Sequence, residues 1–153
     1  MTQSLIHFAT TVKPRRRWRL HLAGLCIGLL AVGASHAESR MWMTVGERRM
    51  AVTLADTEAA RAFVARLPMT LDMTDLNGNE KKFDLPKDMP ATASRPGTIR
   101  NGDLMLYGAN TVVLFYLTFD SPYSYTRLGR VDDPSGLAQA LGQRDVRVRF
   151  SRD

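Results

Sequence analysis

Asn101 to Val131, NGDLMLYGANTVVLFYLTFDSPYSYTRLGRV, carries the longest uninterrupted apolar run of the chain together with its tyrosines. Leu104 to Tyr107 and Thr111 to Thr118 are short runs of aliphatic, aromatic and β-branched residues, parted by the turn signal Gly108-Ala109-Asn110. They predict a buried hairpin. Val112 to Leu117 shows no periodicity, but its brevity and the flanking Gly and Asn favour a strand covered on both faces over a helix. After Asp120-Ser121-Pro122 the pattern turns to alternation, with Tyr123, Tyr125, Arg127 and Gly129 on one side and Ser124, Thr126, Leu128 and Arg130 on the other. One face of that strand then carries two phenols and a guanidinium.

The flanking sequence supplies more strands. Met41 to Val45 and Arg49 to Leu54 bracket Gly46-Glu47-Arg48 as a hairpin, and Met69 to Thr74 alternates as a half-buried strand. Asn77-Gly78 then supplies both positive-φ positions of a type I′ turn into a partner strand, Glu80 to Leu85. Asp56 is placed to cap a helix from Thr57 to about Arg66 with an apolar stripe of Ala59, Ala60, Phe63, Val64 and Leu67, stopped by Pro68. Pro86 to Pro96, with three prolines and no period, reads as a surface loop. Asp133 caps a second helix with Pro134 at its first position and Gly142 after its end, and Asp145 to Ser151 closes the chain as an alternating strand. Eight candidate strands and two short helices predict a mainly β fold, a closed or nearly closed eight-stranded barrel, with an open sandwich as the alternative. Side chains fill an interior of that size, so a site is expected on the outer wall or at a rim.

The first residues read as an export leader. Lys13, Arg15, Arg16, Arg17 and Arg19 form a basic segment, Leu20 to Val32 is apolar, and Ser35-His36-Ala37 is a cleavage signal. The apolar part is short for a bilayer span, which favours a cleaved signal over a retained anchor. Residues 1–37 are therefore expected to be a signal peptide and residues 38–153 a single domain, periplasmic or secreted. Five of the 21 basic residues and none of the 15 acidic ones belong to the leader, so the mature chain is nearly neutral. No basic patch for nucleic acid remains, and no membrane engagement is expected after cleavage. Arg144, Arg147, Arg149 and Arg152 alternate with Val146, Val148 and Phe150 as the solvated face of the last strand. The lone Cys26 lies in the leader, as do His7, His21 and His36. The mature chain thus has no disulfide, no His or Cys metal ligand, no expected cofactor, and no histidine to activate Ser121, Ser124 or Ser135.

GDLMLYGANTVVLFYLTF, YSYTRLGRVDDPSGLAQALG and AARAFVARLPMTLDMTDLNGNEKKFDLP together resemble the bacterial cyclophilin-like domain family, over nearly all of the mature chain. The resemblance implies a small barrel related in fold to the cyclophilins. Those enzymes isomerise prolyl bonds with an arginine from a Phe-His-Arg motif and a Phe-Met-x-Gln pocket segment. Neither motif stands in this sequence, and Phe115 or Tyr116 alone matches a pocket aromatic.

Tyr107, Phe115, Tyr116, Tyr123 and Tyr125, edged by Arg127, are candidate walls of an aromatic groove for a peptide or small organic ligand. The same residues also read as core and cross-strand packing. Arg95 is a weaker candidate, as a guanidinium donor near that groove. Asp132-Asp133 reads as a helix cap rather than a metal pair. The expectation is an exported binding module; the alternative is a periplasmic peptidyl-prolyl isomerase with Arg95 or Arg127 as a non-standard donor.

Overall fold

The computed structural model describes residues 39–153, and the leader expected over residues 1–37 lies outside the described residues. The Met41 to Leu54 segment forms the expected hairpin, β1 (Arg40–Val45) and β2 (Arg48–Leu54). Helix α1 (Glu58–Ala65) follows, then β3 (Met69–Leu76) and β4 (Glu80–Asp84). Asn77 and Gly78 join these two strands at φ of 56° and 67°, the paired left-handed conformation that their sequence predicts. The rest of the chain forms β5 (Gly97–Ile99), β6 (Asp103–Tyr107), β7 (Thr111–Phe115), β8 (Phe119–Ser121), β9 (Thr126–Val131), α2 (Leu137–Leu141) and β10 (Val146–Ser151).

Eight strands close into an antiparallel barrel in the order β1-β10-β3-β4-β7-β6-β9-β2. The mainly β, eight-stranded closed barrel with two short helices is the fold that forms. The remaining two strands, β5 and β8, were not legible as strands and pair as a separate ribbon. At three residues each they are too short for a period to declare itself, and Thr98 Oγ1 donates to Asp120 Oδ1 at 2.8 Å across them.

Inward-facing residues fill the barrel. Met41, Met43, Met73, Leu104, Leu106, Val112, Leu114, Val148 and Phe150 belong to one buried cluster. Phe63 of α1 packs edge-on against Phe150 at 5.4 Å, and Leu137 and Leu141 of α2 join the same core. Outside the barrel, Arg49 stacks on Trp42, and Arg147 binds both oxygens of Asp72 on the solvated face of β10.

Three local expectations are corrected. The cap of α1 is Thr57, not Asp56: Thr57 Oγ1 accepts the Ala60 amide at 3.1 Å, while Asp56 lies one residue too early and pairs with Arg61. Asp133 does not cap α2, because its carboxylate takes the Ser135 amide in a turn and the helix begins only after Gly136. The strand expected from Tyr123 begins at Thr126, since Tyr125 leaves the barrel ladder to bridge Ser94 through two 3.0 Å backbone hydrogen bonds.

A bulge fixes the seam between β6 and β9. Leu104 opposes Gly129 and Met105 opposes Arg127, so Leu128 has no partner across the ladder. The Leu128 carbonyl accepts the Ala55 amide and the Arg127 carbonyl accepts Thr57 Oγ1, which ties the start of α1 to β9. One position further along, Gly129 is required by close approach rather than by its dihedrals. A Cβ there would lie 2.6 Å from the Thr53 carbonyl oxygen and 3.2 Å from Val52 Cγ1, at the β2–β9 seam that closes the barrel.

Gly129→Ala must therefore push β2 away from β9. Chemical denaturation is expected to show a loss of about 1–3 kcal/mol, the usual cost of overpacking; unchanged stability would mean that the seam opens freely.

Candidate functional site

The pleat of β6 and β7 divides the Leu104–Tyr116 segment between two cores. Leu104, Leu106, Val112, Leu114 and Tyr116 face inward, while Met105, Val113 and Phe115 face out and form a second cluster with Ile99 and Tyr125. Phe119 of β8 packs against this outer cluster, so the β5–β8 ribbon covers part of the barrel wall. Phe115 meets Tyr125 edge-on at 5.5 Å and Phe119 at 5.8 Å.

Beside the ribbon the wall stays open, as a cleft of about 550 Å³. Its floor comes from β4, β6 and β7 through Glu80, Lys82, Asp84, Tyr107, Thr111 and Val113. The opposite side is β8 and the turn after it, with Phe119, Asp120, Pro122, Tyr123 and Tyr125. Tyr107 and Tyr123 remain 47% and 59% exposed although their rings meet edge-on at 6.3 Å. Tyr107 also packs against Tyr125 at 5.6 Å. Three tyrosines thus make a stepped aromatic wall, with Tyr125 buried and the other two presented to solvent.

Of the residues singled out from the sequence, Tyr107, Tyr123 and Tyr125 come together in the cleft. Phe115 lies beneath it, fully buried, as a supporting ring. The placement of Tyr116 is corrected: one residue further along the pleat, it turns inward, and its hydroxyl donates to Asp75 Oδ2 at 2.6 Å. The fully buried Lys81 donates to the same oxygen and to the Arg144 carbonyl at 2.8 Å. Hydrogen bonds from Lys81 and then Tyr116 hold the Asp75 carboxyl below its ordinary range, and burial followed by the Asp75 bond pushes the Tyr116 phenol up. This network is structural. Arg127 is corrected as well: it points toward Asp103, 4.0 Å away, and neither it nor Arg95 lines the cleft.

Sequence reasoning missed Glu80, Phe119 and Asp120. Glu80, Lys82 and Asp84 alternate with Lys81 and Phe83 along β4, a pattern that reads as an ordinary solvated face until β8 is laid over its neighbourhood. Asp84 is well satisfied: it accepts Thr111 Oγ1 at 2.8 Å and Lys82 Nζ at 3.2 Å, which lowers its pKa. Glu80 differs. It is 8% exposed, and its carboxyl has no hydrogen-bond or ion-pair partner among the described residues. Burial, and secondly the nearby charge of Asp75, push its pKa up. Among the described residues no group of His, Cys, Asp and Glu side chains is arranged to hold a metal ion.

A model of the Cyclophilin-like family matches residues 43–151. No curated protein matches the chain. Among solved structures, the chain is similar to the hypothetical protein AF2241 from Archaeoglobus fulgidus, with a TM-score of 0.51 at 15% identity, over 79% of this chain and 99% of that one. That likeness is one of fold.

The Glu80 environment has a definite pH signature. Because its folded pKa lies above the ordinary value of 4.5, the native state holds the proton more tightly than the unfolded chain. Its contribution to stability is full below that value and is lost as pH rises through the folded pKa. Glu80→Gln, neutral throughout, should therefore raise the melting temperature at pH 7 relative to the parent. The gain should vanish once the pH falls below 4.5; a destabilised variant at pH 7 would reveal a native partner for the carboxylate.

Proposed function

The chain belongs to the cyclophilin-like family, and within it we propose that this protein is an exported binding module whose outer-wall cleft receives a peptide segment or small organic ligand. One observation carries the reading: Tyr107 and Tyr123 hold large aromatic faces in solvent at the mouth of a 550 Å³ cleft, next to rings that the same fold buries. Rigid aromatic walls with a few convergent polar groups, in a volume of this order, are what small-ligand sites are made of. Tyr125 and Phe115 fix the wall from behind, so it is formed before any ligand arrives.

Binding rather than isomerisation is favoured by the chemistry of the lining. Lowering the barrier of an Xaa-Pro bond requires a donor to the prolyl nitrogen, and no arginine lines the cleft among the described residues. Lys82, the only cation in the lining among the described residues, is engaged with Asp84. Export rests on the basic segment Lys13 to Arg19, the apolar segment Leu20 to Val32 and the Ser35-His36-Ala37 signal, and it places the module in the periplasm or outside the cell.

Nuclear magnetic resonance mapping with a panel of short peptides and small aromatic compounds is expected to shift Tyr107, Tyr123 and Tyr125 first. Truncating Tyr107 or Tyr123 to Ala should weaken a hit roughly tenfold or more while leaving stability almost unchanged, as for an exposed aromatic anchor; shifts elsewhere on the barrel would refute the placement. In a coupled assay on Xaa-Pro peptides, isomerisation should run at the uncatalysed rate, and robust acceleration would make the protein an isomerase. Expressed with its leader, the chain should appear in the periplasmic or culture fraction with Glu38 as its first residue. An intact N-terminus on cytoplasmic protein would defeat the export reading.

A further inference from the structure

The cleft is apolar on one side and acidic on the other. Among the described residues, Glu80, Asp84 and Asp120 line it against a single cation, Lys82, which Asp84 already engages. Asp120 accepts Thr98 Oγ1, so two of the three carboxylates have protein donors. Glu80 has none among the described residues, although the residue is more than nine-tenths buried and forms part of the cleft lining. Next to it, the side-chain oxygen of Asn79, also in the lining, is buried without a hydrogen-bond partner. Among the described residues there is thus no donor for the Glu80 carboxylate, which lines the cleft, nor for the buried Asn79 oxygen beside it, at a site that three tyrosine rings also line.

A carboxylate that lines a cleft and receives no donor from the fold is open to a donor from outside the chain. The donor must satisfy a carboxylate, tolerate a net negative lining and lie favourably against aromatic faces. A cation bearing N–H groups meets all three conditions: it makes charge-assisted hydrogen bonds to the carboxylate and is attracted by the electron-rich ring faces. Water satisfies the first two but lacks the cation's attraction to the ring faces, and an anion or a neutral apolar group fails at Glu80.

Resting on the cleft as the binding site, we propose that it recognises a cationic nitrogen group, a guanidinium or ammonium, seated between Glu80 and the Tyr107–Tyr123–Tyr125 wall. The neutral or apolar remainder of the ligand lies along Phe119, Val113 and Pro122. A peptide arginine or lysine and a free alkyl-amine or alkyl-guanidine share this chemistry.

Three probes titrated into the purified protein by calorimetry and resonance mapping separate the outcomes: Ac-Ala-Arg-Ala-NH2, its citrulline counterpart and butylguanidinium. Citrulline keeps the shape of arginine without its charge. The arginine peptide should bind at least roughly tenfold tighter than the citrulline peptide, and Glu80→Gln should erase the difference, as loss of one charge-assisted hydrogen bond requires. Butylguanidinium binding as tightly as the arginine peptide would identify the free cation as sufficient, whereas preference for the peptide would identify a side chain in its backbone context. Equal binding of arginine and citrulline peptides at the tyrosine wall, or a preference that survives Glu80→Gln, would overturn the cation assignment and leave the cleft as a neutral binding site. Absence of cleft shifts with every probe, including the wider peptide panel, would overturn both.

Discussion

Phe115 is packed between Tyr125 and Phe119 on the outside of the barrel, and the site exists because of that packing. Strand β7 is apolar on both faces: Val112 and Leu114 fill the barrel, while Val113 and Phe115 would face water. Leaving such a surface exposed is unfavourable in proportion to its area. The chain covers it with the β5–β8 ribbon, which is short and stops before Tyr107 and the outer side chains of β4. A cleft remains where the cover ends. Its aromatic wall is thus the partly uncovered margin of a second hydrophobic core, and its rigidity comes from the rings buried behind it.

The same pleat sends neighbouring charged residues to opposite fates. Lys81 points inward, where Asp75, the Arg144 carbonyl and the Tyr116 ring surround it, so that its burial is compensated by hydrogen bonds. Glu80 points outward into the cleft lining and receives no donor from the described residues. Breaking the first arrangement would strand a buried charge, whereas in the second burial shifts the carboxyl toward its protonated form. Groups held against stability in a concave aromatic setting are where binding specificity resides, because a ligand that supplies the missing partner recovers free energy that no other ligand can.

Much of the fold was legible because strand periodicity and turn chemistry are local. Asn77-Gly78 declared its hairpin through positive φ, and the alternation of Met69 to Thr74 declared a half-buried strand. Where reading failed, the deciding contact was distant in sequence. Asp56 and Asp133 are good caps in isolation, yet Thr57 was chosen because its hydroxyl both caps α1 and reaches the Arg127 carbonyl across the fold. Tyr116 continued an aromatic run in sequence, but its inward turn follows from a two-residue pleat period and from an acceptor at Asp75.

A mainly β chain, its eight barrel strands, its two helices and the aromatic content of the outer wall all follow from the period, branching and turn residues of short windows of sequence. Only the folded arrangement places particular aromatics on one surface, keeps Arg95 and Arg127 out of the cleft, and brings Glu80 into its lining. The physical reason is that burial and partner choice belong to pairs of residues. Glu80 and Tyr125 share one cleft, and Phe119 covers Phe115, only when β4 pairs with β7 and the β5–β8 ribbon lies over the barrel wall.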